Sequence, residues 1–123
     1  MTQLAAIGIV AGDIAEAARF YRTLGLEVPE PPAGEDHFEI TLPNGLRLMW
    51  DSIELIQQLD PAREEARGHR MVLAFECDVD AVHARVVEAG YASKAEPWDA
   101  FWGQRYAQVI DPDGNVVDLF RAL

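Results

Sequence analysis

The chain has 123 residues, half of them hydrophobic, and a formal net charge of −11. That is enough apolar material for one core in a single domain, while the acidic balance opposes nucleic acid and anionic membrane as partners and favours cationic ligands, besides keeping the chain soluble. No apolar run reaches the ~18 residues of a membrane span and no basic segment precedes an apolar block at the amino terminus, so a cytoplasmic protein is expected. The single cysteine, Cys77, excludes an intrachain disulfide and a multi-cysteine metal site, and its expected role is that of a small buried hydrophobe.

In chain order, LAAIGIV (residues 4–10) is a short apolar strand. Asp13 is placed to cap a helix whose Ile14, Ala17, Ala18, Tyr21 and Leu24 fall at helical spacing, and Gly25 closes it. PEPPAGED (29–36) is a rigid exposed connector. HFEITLPNGLRLMW then gives two strands around a turn at Pro43, Asn44 and Gly45. Residues 52–68 are more polar and predict a linker with a short helix or two. RMVLAFEC is a strand, Asp78 a second cap, VDAVHARVVEAG a second amphipathic helix ending at Gly90, and ASKAEPW a short strand. QRYAQVI and NVVDLF form a closing hairpin around DPDGN, where Pro112 pre-sets φ and Gly114 supplies a positive φ.

These pieces repeat. Asp13 and Asp78 are 65 residues apart, and Pro43 and Pro112 are 69 apart. The expected fold is α+β: two tandem βαβββ units, about 1–51 and 70–123, joined by a linker at 52–69 in one domain, with curved mixed sheets around a cleft.

Asp118 poses the chemical question. Alternation puts it on one face with Val116 and Phe120, and Val117 and Leu119 on the other. A carboxylate among apolar neighbours must be paired or reach solvent, because burying it alone costs several kcal/mol or forces it to protonate.

The repeat, with FYRTLGLEV after an Asp-capped helix and DPDGNVVDLF near the carboxyl end, resembles the vicinal oxygen chelate superfamily of glyoxalase I, extradiol dioxygenases, fosfomycin resistance enzymes and bleomycin resistance proteins. The resemblance covers essentially the whole chain. It implies, for an enzyme, one divalent metal with a His or Glu ligand from each of four strands. Carried over by spacing, the first ligand position is Ala6, seven residues before Asp13, and the third is Val72, six before Asp78. The second is Met49, or Leu48 or Trp50 with a slip of one, and only the fourth, Asp118, carries an oxygen. About three protein ligands are needed for a catalytic metal, so no metal and no other cofactor is expected. A site rearranged around His37, His69 and Asp118 is the alternative. The expected places of the histidines are otherwise surface or loop, His83 on its helix included.

No phosphate loop, serine elbow or Cys–His pairing is present. Arg47 and Arg105, on hairpin strands, are candidates to hold a ligand anion or else surface residues, and Glu39, Glu76 and Asp118 are candidate bases without a partner acid. WDAFWGQRY places Trp98, Phe101, Trp102 and Tyr106 in a Gly-containing loop entering the last hairpin, and Phe38 and Trp50 lie on the matching hairpin of the first unit. Large planar side chains stack on flat ligands, or pack in a core or dimer interface. The expected ligand-binding set is therefore Phe38, Arg47, Met49, Trp50, Trp98, Trp102, Arg105, Tyr106 and Asp118.

The resemblance is nearest in character to the bleomycin resistance branch, which implies a homodimer that sequesters a small molecule, such as a planar or cationic antibiotic, without altering it. The alternatives are a lyase or dioxygenase with an atypical metal site, and a structural or regulatory dimer whose cleft is vestigial.

Overall fold

The structure, a computed structural model, describes residues 3–31, 33–64 and 71–123. These hold seven strands and three helices in two mixed sheets, an α+β arrangement. The chain divides into two compact units, residues 1–22 with 27–65 and residues 23–26 with 66–123. Among the described residues no helix is long and apolar enough to cross a membrane.

In the first unit β1 (Ala6–Ala11) runs parallel to β3 (Arg47–Ser52), which pairs antiparallel with β2 (His37–Thr41), giving the order β1-β3-β2. Helix α1 (Ile14–Leu24) starts where Asp13 accepts from the Glu16 amide at 3.1 Å, and ends at Gly25, whose φ of 120° suits glycine. The carbonyls of Thr23 and Leu24 accept from Arg85 at 2.7 and 3.1 Å. The first sheet has three strands where the repeat predicts four. Pro29 and Pro31 follow α1, and proline brings no N–H to a ladder, so no strand forms before β2 among the described residues.

Alternation sorts this sheet into two faces. Phe38, Ile40, Leu48 and Trp50 are buried, and Trp50 lies 4.8 Å from Tyr21 of α1. His37, Glu39, Arg47, Met49 and Asp51 occupy the opposite face. The predicted linker opens with α2 (Ile53–Leu59), capped by Ser52 Oγ, which accepts from the Leu55 amide and donates to Asp36.

In the second unit β4 (Leu73–Glu76) runs parallel to β7 (Val116–Ala122), followed by antiparallel β6 (Gln104–Ile110) and β5 (Ala92–Ala100). Helix α3 (Val79–Glu88), capped by Asp78, buries Val79, Val82, His83 and Val86. It covers the face formed by Ala107, Val109, Val117 and Leu119, which is buried throughout. The DPDGN turn is organised by Asp111, a buried carboxylate that accepts from the amides of Asp113 and Asn115 and from the Asn115 side chain.

Strand β5 is longer than predicted. It extends to Ala100, absorbing Pro97 through register shifts between Ser93 and Ala95 and between Ala95 and Trp98. Trp98, which ends the predicted strand and opens the predicted loop, stands on the strand, and the loop shrinks to a hairpin turn at Phe101–Gly103, closed by the Gly103 amide on the Ala100 carbonyl. His83 departs from its expected surface place. It falls four residues after Val79 and three before Val86, on the apolar stripe, and its Nε2 meets Ser93 Oγ at 2.7 Å. Cys77 is half-buried, and desolvation pushes its thiol pKa up.

Candidate ligand-binding face

The face of the second sheet opposite α3 is set by the even-numbered residues of β6 and β7. Tyr106 pairs with Trp98 on one side and Phe120 on the other, and Gln108 pairs with Asp118. At the hairpin end Trp98, Trp102 and Tyr106 meet edge to face, with ring centroids 5.5 Å apart for the two tryptophans, 5.2 Å for Trp102 and Tyr106, and 6.4 Å for Trp98 and Tyr106. Trp98, Trp102 and Phe101 are exposed, the last at 92%. Trp102 donates its indole N–H to Gln104 at 2.8 Å, which fixes the ring's orientation while leaving its surface in solvent. The aromatic cluster thus has one wet side.

Next to it on the same face is a polar group of three. Gln108 Nε2 donates to Asp118 Oδ1 at 2.9 Å. Tyr106 lies beside them, and desolvation, then the neighbouring Asp118 carboxylate as acceptor and as charge, push its phenol up to about 12. Tyr106 therefore stays a donor through the physiological range. Asp118 is thus a half-buried carboxylate paired with Gln108 and set beside Tyr106, which answers the sequence question for its own sheet. Glu76 lies beside Phe120 on the same face and is exposed. Gln108 was not singled out from the sequence, although the alternation of QRYAQVI puts it on the face of Tyr106.

The remaining candidates lie elsewhere. Phe38 and Trp50 stack in the core of the first unit and have almost no accessible surface. Arg105 points from the α3 side of β6, where Asp80 grips it through two bonds of 2.8 and 3.2 Å and Asp99 through one of 3.2 Å; the bond to Asp80 lowers the pKa of that carboxyl. It is committed to those carboxylates instead of an incoming anion. Arg47 pairs with Glu39 at 3.0 Å at the edge of an open groove of about 680 Å³ lined by Gln3–Ala5 and Asn44–Leu46, far from aromatic in character. Met49 lies opposite Gly8 on the polar face of the first sheet.

That polar face carries an ion chain. His37 Nδ1 lies 2.6 Å from Asp51 and Nε2 lies 3.1 Å from Glu39. The hydrogen bond to Asp51, foremost, raises the His37 pKa, and the bond from His37 lowers that of Glu39. Both ring nitrogens are engaged by carboxylates, so the ring has no lone pair directed at a metal.

The four positions that the fold relates to a metal do not fit one. In the first unit they are Ala6, an aliphatic side chain, and Met49, a thioether. In the second they are Val72 and Asp118, and the carboxylate already accepts from Gln108. Among the described residues no group of three His, Cys, Asp or Glu is placed to hold a metal ion. His69, the other member of the rearranged set, lies outside the described residues.

Two mixed sheets, each built from a strand–helix–hairpin unit and one bearing an aromatic and acidic face, define the class of protein. Residues 3–119 match the Glyoxalase/Bleomycin resistance protein/Dioxygenase superfamily, and the chain belongs to that family. Among solved structures it is similar to a glyoxalase-related enzyme from Fulvimarina pelagi, with a TM-score of 0.81 and 24% identity over 98% of this chain and 88% of that one. A hypothetical protein from S. aureus matches with a TM-score of 0.78 and 18% identity, over 98% and 93%. A glyoxalase/bleomycin resistance protein/dioxygenase family enzyme from Burkholderia phytofirmans matches with a TM-score of 0.76 and 20% identity, over 99% and 100%. At these identities the likeness is one of fold. A search of the curated proteins finds no match.

Proposed function

We propose that this chain is a metal-independent small-molecule binding protein of the superfamily, taking a flat cationic ligand, planar antibiotics included, on the face of its second sheet opposite α3. The observation that carries the reading is the continuity of the wet aromatic cluster of Trp98, Trp102 and Tyr106 with the carboxylate of Asp118 on one strand face. Stacking surface beside a fixed negative charge suits a planar cation, and an overall charge of −11 draws such a ligand in. Large apolar side chains clustered in solvent commonly mark an interaction site, whether for a ligand or for a second subunit.

A second reading, a lyase or dioxygenase with an atypical metal site, is favoured by the description of similar structures as enzymes. One experiment separates the two. A thermal-shift screen of planar cations and small metabolites, with and without divalent metal, is expected to give hits among the cations that do not depend on metal, and elemental analysis of the dialysed protein no stoichiometric zinc, iron, nickel or manganese. A retained metal at one per subunit, with stabilisation only in its presence, would move the enzyme reading to first place. No hits among the cations would leave the aromatic face as an interface between subunits.

A further inference from the structure

The polar end of this face has a directionality that charge alone does not give. An ionised carboxylate only accepts hydrogen bonds, so Gln108 must turn its NH2 group towards Asp118, as it does at 2.9 Å. The amide oxygen of Gln108 is then left unengaged among the described residues, next to a carboxylate that has lone pairs to spare. The Gln108 amide donates inward, and what it and Asp118 offer a ligand is a pair of acceptors.

We infer that Gln108 is a specificity-determining residue, and that the face selects planar cations carrying paired N–H donors, of the amidinium or guanidinium class, over planar cations of equal charge that have none. The inference rests on the binding reading above and narrows it. An aromatic amidinium lays its ring on Trp102 and Tyr106 and sends one N–H to Asp118 and another to the Gln108 oxygen. A quaternary ring cation keeps the stacking and the Coulomb attraction but leaves the Gln108 acceptor unmet, and desolvating an acceptor without a partner opposes binding.

The test uses two flat monocations of similar area, 2-naphthamidinium and N-methylquinolinium, titrated against the intact protein by calorimetry. Wild type is expected to bind the amidinium about tenfold more tightly, the worth of one hydrogen bond to a charged group. Gln108→Met, close in length and without an acceptor oxygen, is expected to lose most of that preference, keeping only what the N–H to Asp118 supplies, and to hold the quinolinium within about twofold of wild type, which also reports that the face is intact. Equal wild-type affinity for the two probes overturns the inference without recourse to any variant, as does a preference that persists undiminished in Gln108→Met or a variant that loses both probes equally. The broader reading is tested apart by Trp102→Ala. If both probes bind, both weaken in that variant, and neither is preferred by wild type, the binding reading stands and the role of Gln108 falls alone. If neither probe binds wild type, both fall together.

Discussion

The indole of Trp50 lies flat on the ring of Phe38, with centroids 4.5 Å apart and planes within 6° of parallel. The two residues face each other across the β2–β3 ladder, and Trp50 is 0% exposed. Its indole N–H is buried with no partner among the described residues. Trp50→Ala should therefore cost about 3–5 kcal/mol, as for other large aromatic deletions from a core. Trp50→Phe should cost less than half of that, because it removes the unsatisfied donor along with the second ring. Urea unfolding of both variants measures the difference, and equal costs would mean that the N–H finds a partner, such as a buried water.

On the face of the second sheet opposite α3 the expected effects are on ligand affinity. Trp102→Ala should weaken a flat ligand by about 1–3 kcal/mol at any salt concentration, as lost stacking area does. Asp118→Asn keeps the shape and removes the charge, so it should weaken cations and leave neutral analogues of the same outline nearly unchanged. Titration of both variants at low and high salt separates the two contributions. Indifference of both would assign Trp102 to an interface.

His37 gives the first sheet a pH window. Its pKa is raised chiefly by Asp51, so its stabilising contribution is complete below its unfolded value near 6.5 and is lost as pH rises through the higher folded value. Glu39 is shifted the other way, chiefly by His37, so its share is present above its unfolded value near 4.5 and lost as pH falls through the lower folded one. Both are in force between those unfolded values. The stability difference between wild type and His37→Gln should shrink above neutrality, and the His37 ring resonances should titrate with a midpoint above 6.5. A midpoint at or below that value would mean the bond to Asp51 does not form in solution.

Arg85 ends α1 from a distance in sequence, donating to the Thr23 and Leu24 carbonyls. These belong to the last turn, where backbone oxygens lack helical partners. Arg85→Ala should cost about 1–2 kcal/mol, and Arg85→Lys should recover only part of it, because one ammonium does not reproduce the fork geometry. Denaturant midpoints of the two variants decide it.

Assembly is also open to measurement. We propose a homodimer, on the strength of the exposed Phe101 and Trp102 and of edge strands β4 and β5, whose outer ladder groups are unpaired among the described residues. Light scattering should return about twice the monomer mass at micromolar concentration, and a monomer there would overturn the proposal.

The sequence reveals the frame better than the faces. The caps at Asp13 and Asp78 and the turns at Pro43–Gly45 and Pro112–Gly114 stand where local chemistry puts them, because capping and turn formation involve only a few adjacent residues. Which aromatic residues are wet is harder to see, since it depends on which side each sheet is covered. Alternation does group Trp50 with Leu48 and Phe38 with Ile40, an apolar set opposed by Arg47, Asp51, His37 and Glu39, and that contrast points to the core. Trp98 both ends the strand ASKAEPW and opens the aromatic loop in the sequence reading, and only the register shifts of β5 show how the strand runs on past Pro97. Arg105 is hidden in another way: its partner Asp80 is 25 residues away on a helix, and nothing local links them.

Strands β6 and β7 carry two interleaved texts. Odd positions, Ala107, Val109, Val117 and Leu119, are fully buried and govern whether the unit folds, while even positions, Tyr106, Gln108, Asp118 and Phe120, face away from α3. The two sets share a backbone but scarcely compete for side-chain space. A lineage, or an engineer, could rewrite the even text one letter at a time and change what is recognised, while the odd text continues to specify the same scaffold.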